Sequence, residues 1–167
     1  MANESVVKEI MDSVRRIVQS LRSSHRTAGR LNLTGAQLFV IAALGEADGP
    51  LSVGDLAMRT RTDQSTVSVV VSRLVEKGLI KRTTSAIDSR RVDLTLTAKG
   101  RATQKKAPTT IPQQKLAAAL EGLVPGDAAA LARLLSRIVD EMGEANRPAA
   151  MLFEDATPSP RRRKYRS

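Results

Sequence analysis

The chain has 167 residues, which suits one domain, and a formal net charge of +10, which favours polyanionic partners. It has no cysteine, so disulfides, thiolate metal sites and thiol-based oxidant sensing are excluded, and its single histidine, His25, cannot build a His-rich metal centre. Half of the charge excess sits in the last seven residues, as Arg161, Arg162, Arg163, Lys164 and Arg166.

A second basic concentration lies between Lys81 and Lys106, where eight basic residues meet only Asp88 and Asp93. A solvated face explains any one basic run, but a local +6 on a loop, strand and helix junction is harder to dismiss. Met1 to Ile10 is charged and lacks the apolar stretch of a signal peptide. No apolar run approaches the roughly 20 residues needed to span a bilayer. The expected location is cytoplasmic, with no membrane partner. The aromatics are Phe39, Phe153 and Tyr165 alone, too few for stacking on single-stranded nucleic acid.

The first predicted helix covers about Ser5 to Ser24. Val6, Val7, Ile10, Met11, Val14, Ile17, Val18 and Leu21 make one apolar stripe at i, i+3, i+4 and i+7 spacing. Gly29 and Asn32 interrupt it. Thr34 with Gln37 reads as a capping box, and Leu38 to Leu44 is apolar all round, so this second helix should be buried. Gly45, Asp48, Gly49 and Pro50 end it. Ser52 with Asp55 opens a third helix, with Val53, Leu56 and Ala57 on its inner face. Arg59, Thr60, Arg61 and Thr62 connect it to a fourth helix, Asp63 to Lys77, capped by Thr62 and closed by Gly78. Two helices joined by a short turn form the helix-turn-helix pattern.

On the fourth helix Val67, Val70, Val71 and Leu74 share the inner side. Ser65, Val69, Ser72 and Glu76 lie opposite, with Thr66 and Arg73 on one shoulder and Ser68 on the other. The outer face is small and hydroxyl-rich. It suits a major groove, where Ser and Thr reach phosphates or base edges and Val69 can meet a thymine methyl. A solubilising surface helix is the bland alternative. The neighbouring elements favour recognition.

A hairpin follows. Leu79 to Thr84 is the outgoing strand, Ser85 to Arg90 the tip, and Arg91 to Leu96 the return, with Val92, Leu94 and Leu96 on one face. Narrow minor grooves attract inserted arginine. Arg90 is the expected groove contact, and Asp88 is placed to hold its guanidinium extended. Turn chemistry is the plain alternative for Asp88, and an ion pair within the hairpin is the equal alternative for Arg91. Beyond the hairpin, Pro108 and Pro112 should break the Thr97–Gly122 stretch into two pieces with a bend near Ala107–Ile111. Pro125-Gly126-Asp127 opens a last helix whose stripe is Leu131, Leu134, Leu135, Ile138, Val139 and Met142.

The order of helix, helix-turn-helix, wing and terminal helices resembles the MarR family of winged helix-turn-helix regulators. The residues that carry the likeness are Leu56-Ala57, Asp63-Gln64-Ser65-Thr66-Val67-Ser68, Leu74 to Ile80, Asp88-Ser89-Arg90-Arg91, and Leu94-Thr95-Leu96-Thr97-Ala98-Lys99-Gly100. The resemblance implies a mainly α fold with a small β-hairpin wing. Residues 1–33 and 101–146 would form a dimerisation frame, 34–100 the DNA-binding lobe and 147–167 a flexible basic tail.

By the same resemblance the protein is a sequence-specific regulator and not an enzyme, a repressor that binds a pseudo-palindromic operator as a homodimer. A non-specific architectural DNA-binding protein is the alternative. The implied DNA contacts are Gln64, Ser65, Thr66, Ser68, Val69, Arg73, Asp88, Arg90 and Arg91. No cofactor is expected. A small aromatic or phenolic effector has Arg16, Arg22 and His25 as candidate contacts, although His25 reads first as an exposed helix-end residue.

Overall fold

A computed structural model describes residues 2–86, 88–108, 111–147 and 149–153. The basic cluster from Arg161 onward and Ile87 at the hairpin tip lie outside these. The described residues form two units. One holds those up to Leu21 and from Pro108 to Ala150. The other, the lobe, holds Arg22 to Ala107 and those from Met151 on.

Helix α1 spans Ala2–Arg30, about 44 Å at 1.5 Å per residue. It runs past the expected end at Ser24 and through Gly29. It stops where Asn32 turns left-handed (φ 57°), with Leu33 N–H donating to the Ala28 carbonyl. Asn tolerates that conformation better than most residues. Thr34 and Gln37 then form the expected reciprocal cap: Gln37 N–H donates to Thr34 Oγ1 (3.1 Å) and Thr34 N–H to Gln37 Oε1 (3.2 Å). Helix α2, Gly35–Gly45, follows, buried over every residue from Gly35 to Leu44. A helix apolar all round has no solvent face to offer, so the rest of the lobe wraps it.

Around α2 pack α3 (Val53–Thr60), α4 (Gln64–Glu76), the antiparallel strands β1 (Ile80–Thr84) and β2 (Val92–Leu96), and α5 (Ala98–Gln104). Leu38, Ile41, Leu56, Val67, Val70, Val71, Leu74, Ile80 and Leu94 are fully enclosed. The inner stripe read from α4 is therefore its buried face. On α3 the inner positions are Leu56, Ala57 and Thr60, whereas Val53 in the first turn is only half-buried. Thr60 is helical rather than part of the connection, because its hydroxyl donates back to the Leu56 carbonyl (2.7 Å). In β2, Leu94 and Leu96 face the core and Val92 is exposed, being too near the tip to find cover. The register pairs Ile80 with Leu96 and Thr84 with Val92. Leu51 adds a bridge on the other side of Leu94, with N–H to O distances of 2.8 and 3.2 Å.

Gly100 explains why β2 is followed by Leu-Thr-x-x-Gly. Thr97 caps α5 through Gly100 N–H (3.0 Å) and donates its own hydroxyl to the Gly78 carbonyl (2.7 Å). This draws α5 so close to the hairpin that a Cβ on Gly100 would lie 2.0 Å from the Leu79 carbonyl oxygen.

The break expected at the prolines is present. Helix α5 ends at Gln104, and α6 spans Pro112–Glu121 with Pro112 in its first turn, where a missing N–H costs nothing. Residues 109 and 110 of the intervening bend are not described. Helix α7 spans Pro125–Glu141 and buries none of its residues. Leu134, Leu135, Ile138, Val139 and Met142 are 42–69 % exposed, and Val6, Val7, Ile10, Met11, Val14 and Ile17 of α1 are 43–52 % exposed. Among the described residues, no helix is long and apolar enough to cross a membrane.

Candidate nucleic-acid interface

The turn between α3 and α4 rests on a left-handed residue. Arg61 has φ 52° and ψ 43°, and its guanidinium donates to the Met58 carbonyl (2.8 Å). Only the local geometry reveals this, since an arginine is no usual signal for a left-handed position. The turn hands the cap of α4 to Asp63 rather than to the expected Thr62, whose hydroxyl is spent on the Thr60 carbonyl (3.0 Å). The Asp63 carboxylate accepts from the Ser65 hydroxyl, the Thr66 N–H and the Thr66 hydroxyl. These donors, Ser65 first, hold the Asp63 carboxyl down at about 2.

This cap constrains what the recognition face can do. Ser65 and Thr66 give their hydroxyl protons to Asp63, so in this state they offer lone pairs outward. They are set to accept from base amino groups, such as adenine N6 or cytosine N4, rather than to donate to phosphate. Val69 is 46 % exposed beside them, Ser68 is half-buried, and Arg73 is exposed further along. Gln64 is exposed but leans back on α3: its Nε2 lies 3.2 Å from where a side chain on Gly54 would begin. One residue was not singled out from sequence. Arg82 of β1 donates to the Ser72 hydroxyl (2.9 Å), placing a guanidinium alongside α4. Only the pairing of wing against helix shows this, since ten residues separate the two.

At the wing the two arginines separate. Arg91 donates to Asp55 Oδ2 (2.6 Å) and to Asp93 Oδ1 (3.2 Å). Asp55 in turn caps α3, accepting from Ser52 N–H and Ser52 hydroxyl, each at 2.8 Å. One carboxylate thus ties the wing to the start of the helix-turn-helix. Its pKa is lowered, first by the Ser52 hydrogen bonds and then by Arg91. Arg90 is exposed at the tip. Asp88 does not hold the Arg90 guanidinium, as expected from sequence. Its Oδ1 accepts from the Arg90 backbone N–H (2.9 Å), and its carbonyl from Arg91 N–H (2.9 Å). The side chain is too short to satisfy the turn and reach outward together, so turn chemistry wins.

The rear of α4 is latched as well. Lys77 Nζ donates to the Asn32 carbonyl (2.7 Å) and to Gln37 Oε1 (3.0 Å), joining the end of α4 to the cap of α2. Desolvation, followed by the charge of Lys99, lowers its pKa.

The three residues named for an effector do not form one group within either unit. Arg16 belongs to the first unit and is exposed, and Arg22 and His25 belong to the lobe. His25 is half-buried rather than at an exposed helix end, because α1 continues to Arg30 and the ring stacks on Phe153. Among the described residues, no group of three or more His, Asp or Glu side chains is arranged to hold a metal ion.

A sequence model of the MarR family matches residues 31–91, which run from the start of the lobe through the wing arginines. The HTH-type transcriptional repressor MdtR of Bacillus subtilis (strain 168) is 33 % identical over 98 residues, covering 58 % of this chain and 63 % of MdtR. The chain thus spans just under two thirds of that curated relative. The solved structure of Bordetella bronchiseptica BpsR is 30 % identical, covers 78 % of this chain and 93 % of its own, and has a TM-score of 0.51. This chain belongs to the MarR family. Apo MarR from E. coli, at 22 % identity, 77 % and 95 % coverage and a TM-score of 0.53, has the same fold. In MarR-family terms α4 is the recognition helix and the β1–β2 hairpin the wing of a winged helix-turn-helix lobe.

Proposed function

We propose that the protein is a cytoplasmic transcriptional repressor that binds a pseudo-palindromic operator as a homodimer. The observation that carries the reading is the pairing of α4 with a wing braced onto α3: Arg91–Asp55 fixes the hairpin and Arg90 projects from it. Recognition helices of two protomers would enter major grooves about one helical turn apart, with Arg90 in the flanking minor grooves and Arg82 and Arg73 on the backbone. The uncovered apolar stripes of α1 and α7 supply the surface for a second copy. Repression follows the name of MdtR.

The effector is proposed to be a small aromatic acid, without any cofactor. The structure of BpsR is titled for regulation of its DNA binding by 6-hydroxynicotinic acid. Arg16, Arg22 and His25 remain the proposed contacts here.

Footprinting the DNA upstream of the gene, with and without aromatic acids, tests the reading. Arg90→Ala should weaken operator binding by about 1–3 kcal/mol. Equal affinity for operator and random duplex at fixed salt would instead identify an architectural DNA-binding protein.

A further inference from the structure

Residues Met151–Phe153 fall in the stretch read from sequence as a flexible tail, yet they pack within the lobe. Met151 is buried. The Phe153 ring stacks on that of His25, with centroids 5.3 Å apart and planes 24° from parallel. Phe153 Cβ and Cδ2 lie 3.1 and 3.3 Å from where a side chain on Gly35 would begin, and the Leu152 carbonyl oxygen lies 3.5 Å from it. Gly35 has no left-handed backbone to justify a glycine. What it provides is close approach. Phe153 itself sits at φ 62°, a strained conformation that persists only where the surrounding packing over-determines it.

The basic cluster Arg161-Arg162-Arg163-Lys164-Tyr165-Arg166 starts eight residues beyond this strap. Eight residues reach at most about 29 Å, and a flexible chain of that length spans about 16 Å on average. We propose that Met151–Phe153 anchors the C-terminal basic cluster to the DNA lobe, where the cluster is a second, sequence-independent binding site for duplex phosphates. The proposal rests on the DNA-binding reading above. Anchoring turns the cluster's encounter with bound DNA into an intramolecular event at raised effective concentration. Each phosphate it neutralises releases counterions and steepens the salt dependence.

The test uses the full chain, an operator duplex with random flanks and a random duplex of equal length, titrated over a series of salt concentrations. The variants are Phe153→Ala, a tail with Arg161, Arg162, Arg163, Lys164 and Arg166 all changed to Ala, and the combination. Neutralising the tail should weaken both duplexes about tenfold or more and lower the log–log salt slope by up to about four. In the Phe153→Ala background the same neutralisation should cost much less. His25 is the single histidine, so its ring resonances report docking. They should move when Phe153 is removed, and also in Gly35→Val, which crowds out the strap while keeping Phe153. A correctly folded Gly35→Val protein should lose the tail's contribution likewise. An unchanged salt slope on neutralising the tail would overturn the proposal, as would an equal tail effect with and without Phe153. Should wild type fail to prefer operator over random duplex while the tail effects persist, the operator reading fails and the anchor stands.

Discussion

The lobe and the terminal helices bury their apolar residues by opposite means. In the lobe, α2 is enclosed on every side, and Leu38, Ile41, Val70 and Leu74 have no exposed surface. In α7 no residue is buried, and its stripe is about as exposed as that of α1. The lobe therefore holds a complete core within one chain. The terminal helices carry an equally regular apolar pattern that the single chain leaves in water. The same periodicity thus means core in one place and interface in the other, and the measure that separates them is whether the face is covered.

The comparison breaks most visibly if the exposed stripe is charged. Leu135→Glu with Ile138→Glu should convert a dimer into a folded monomer, read as a halving of mass by light scattering. Retention of the dimer would show that the α7 stripe is not the shared surface. On the lobe side, Ile41→Ala should cost about 2–5 kcal/mol in denaturant unfolding, the usual range for emptying a tight core site. Gly100→Ala should cost about 1–3 kcal/mol or more by overpacking against the Leu79 carbonyl. Both losses should be independent of protein concentration, whereas mutations of the α7 stripe should make the melting temperature concentration-dependent. Arg91→Ala should cost no more than about 1 kcal/mol of stability, since the Asp55 pair is partly exposed. It should nevertheless weaken operator binding by freeing the wing. An affinity unchanged in Arg91→Ala would remove the brace from the mechanism.

The smallest effect is on acid stability. The folded Asp63 pKa of about 2 lies below its ordinary value of 3.8, and Asp55 is also lowered. A carboxylate with a depressed folded pKa contributes stability that is fully present above the unfolded value and lost as pH falls through the folded one. The lobe should therefore lose stability from about pH 4 down towards pH 2. Asp63→Asn should flatten that slope without altering stability differences at higher pH between proteins that share the substitution. A carboxyl NMR titration of Asp63 with an ordinary midpoint would contradict the cap.

Much of this was legible because it is local. Both Thr34–Gln37 and Ser52–Asp55 caps, the inner face of α4, the left-handed Gly78 and the breaks at Pro108 and Pro112 each depend on residues within one or two turns. The misses share a cause. Asp63 took the cap from Thr62 because Arg61 adopted a left-handed turn that composition does not announce. Asp88 turned inward because one short carboxylate could not serve both the loop and Arg90. Arg82 beside Ser72 and Arg91 on Asp55 depend on the wing folding back along the helices.

By itself the sequence determined which segments are helix or hairpin, which faces are apolar, and the family, because periodicity, capping and motif spacing are properties of neighbouring residues. Only the tertiary structure decided which apolar faces are covered, which arginine braces the wing and which projects, why Gly100 and Gly35 carry no side chain, and that Phe153 returns to His25. Each of those rests on a distance between atoms far apart in the chain, and periodicity carries no information about such distances.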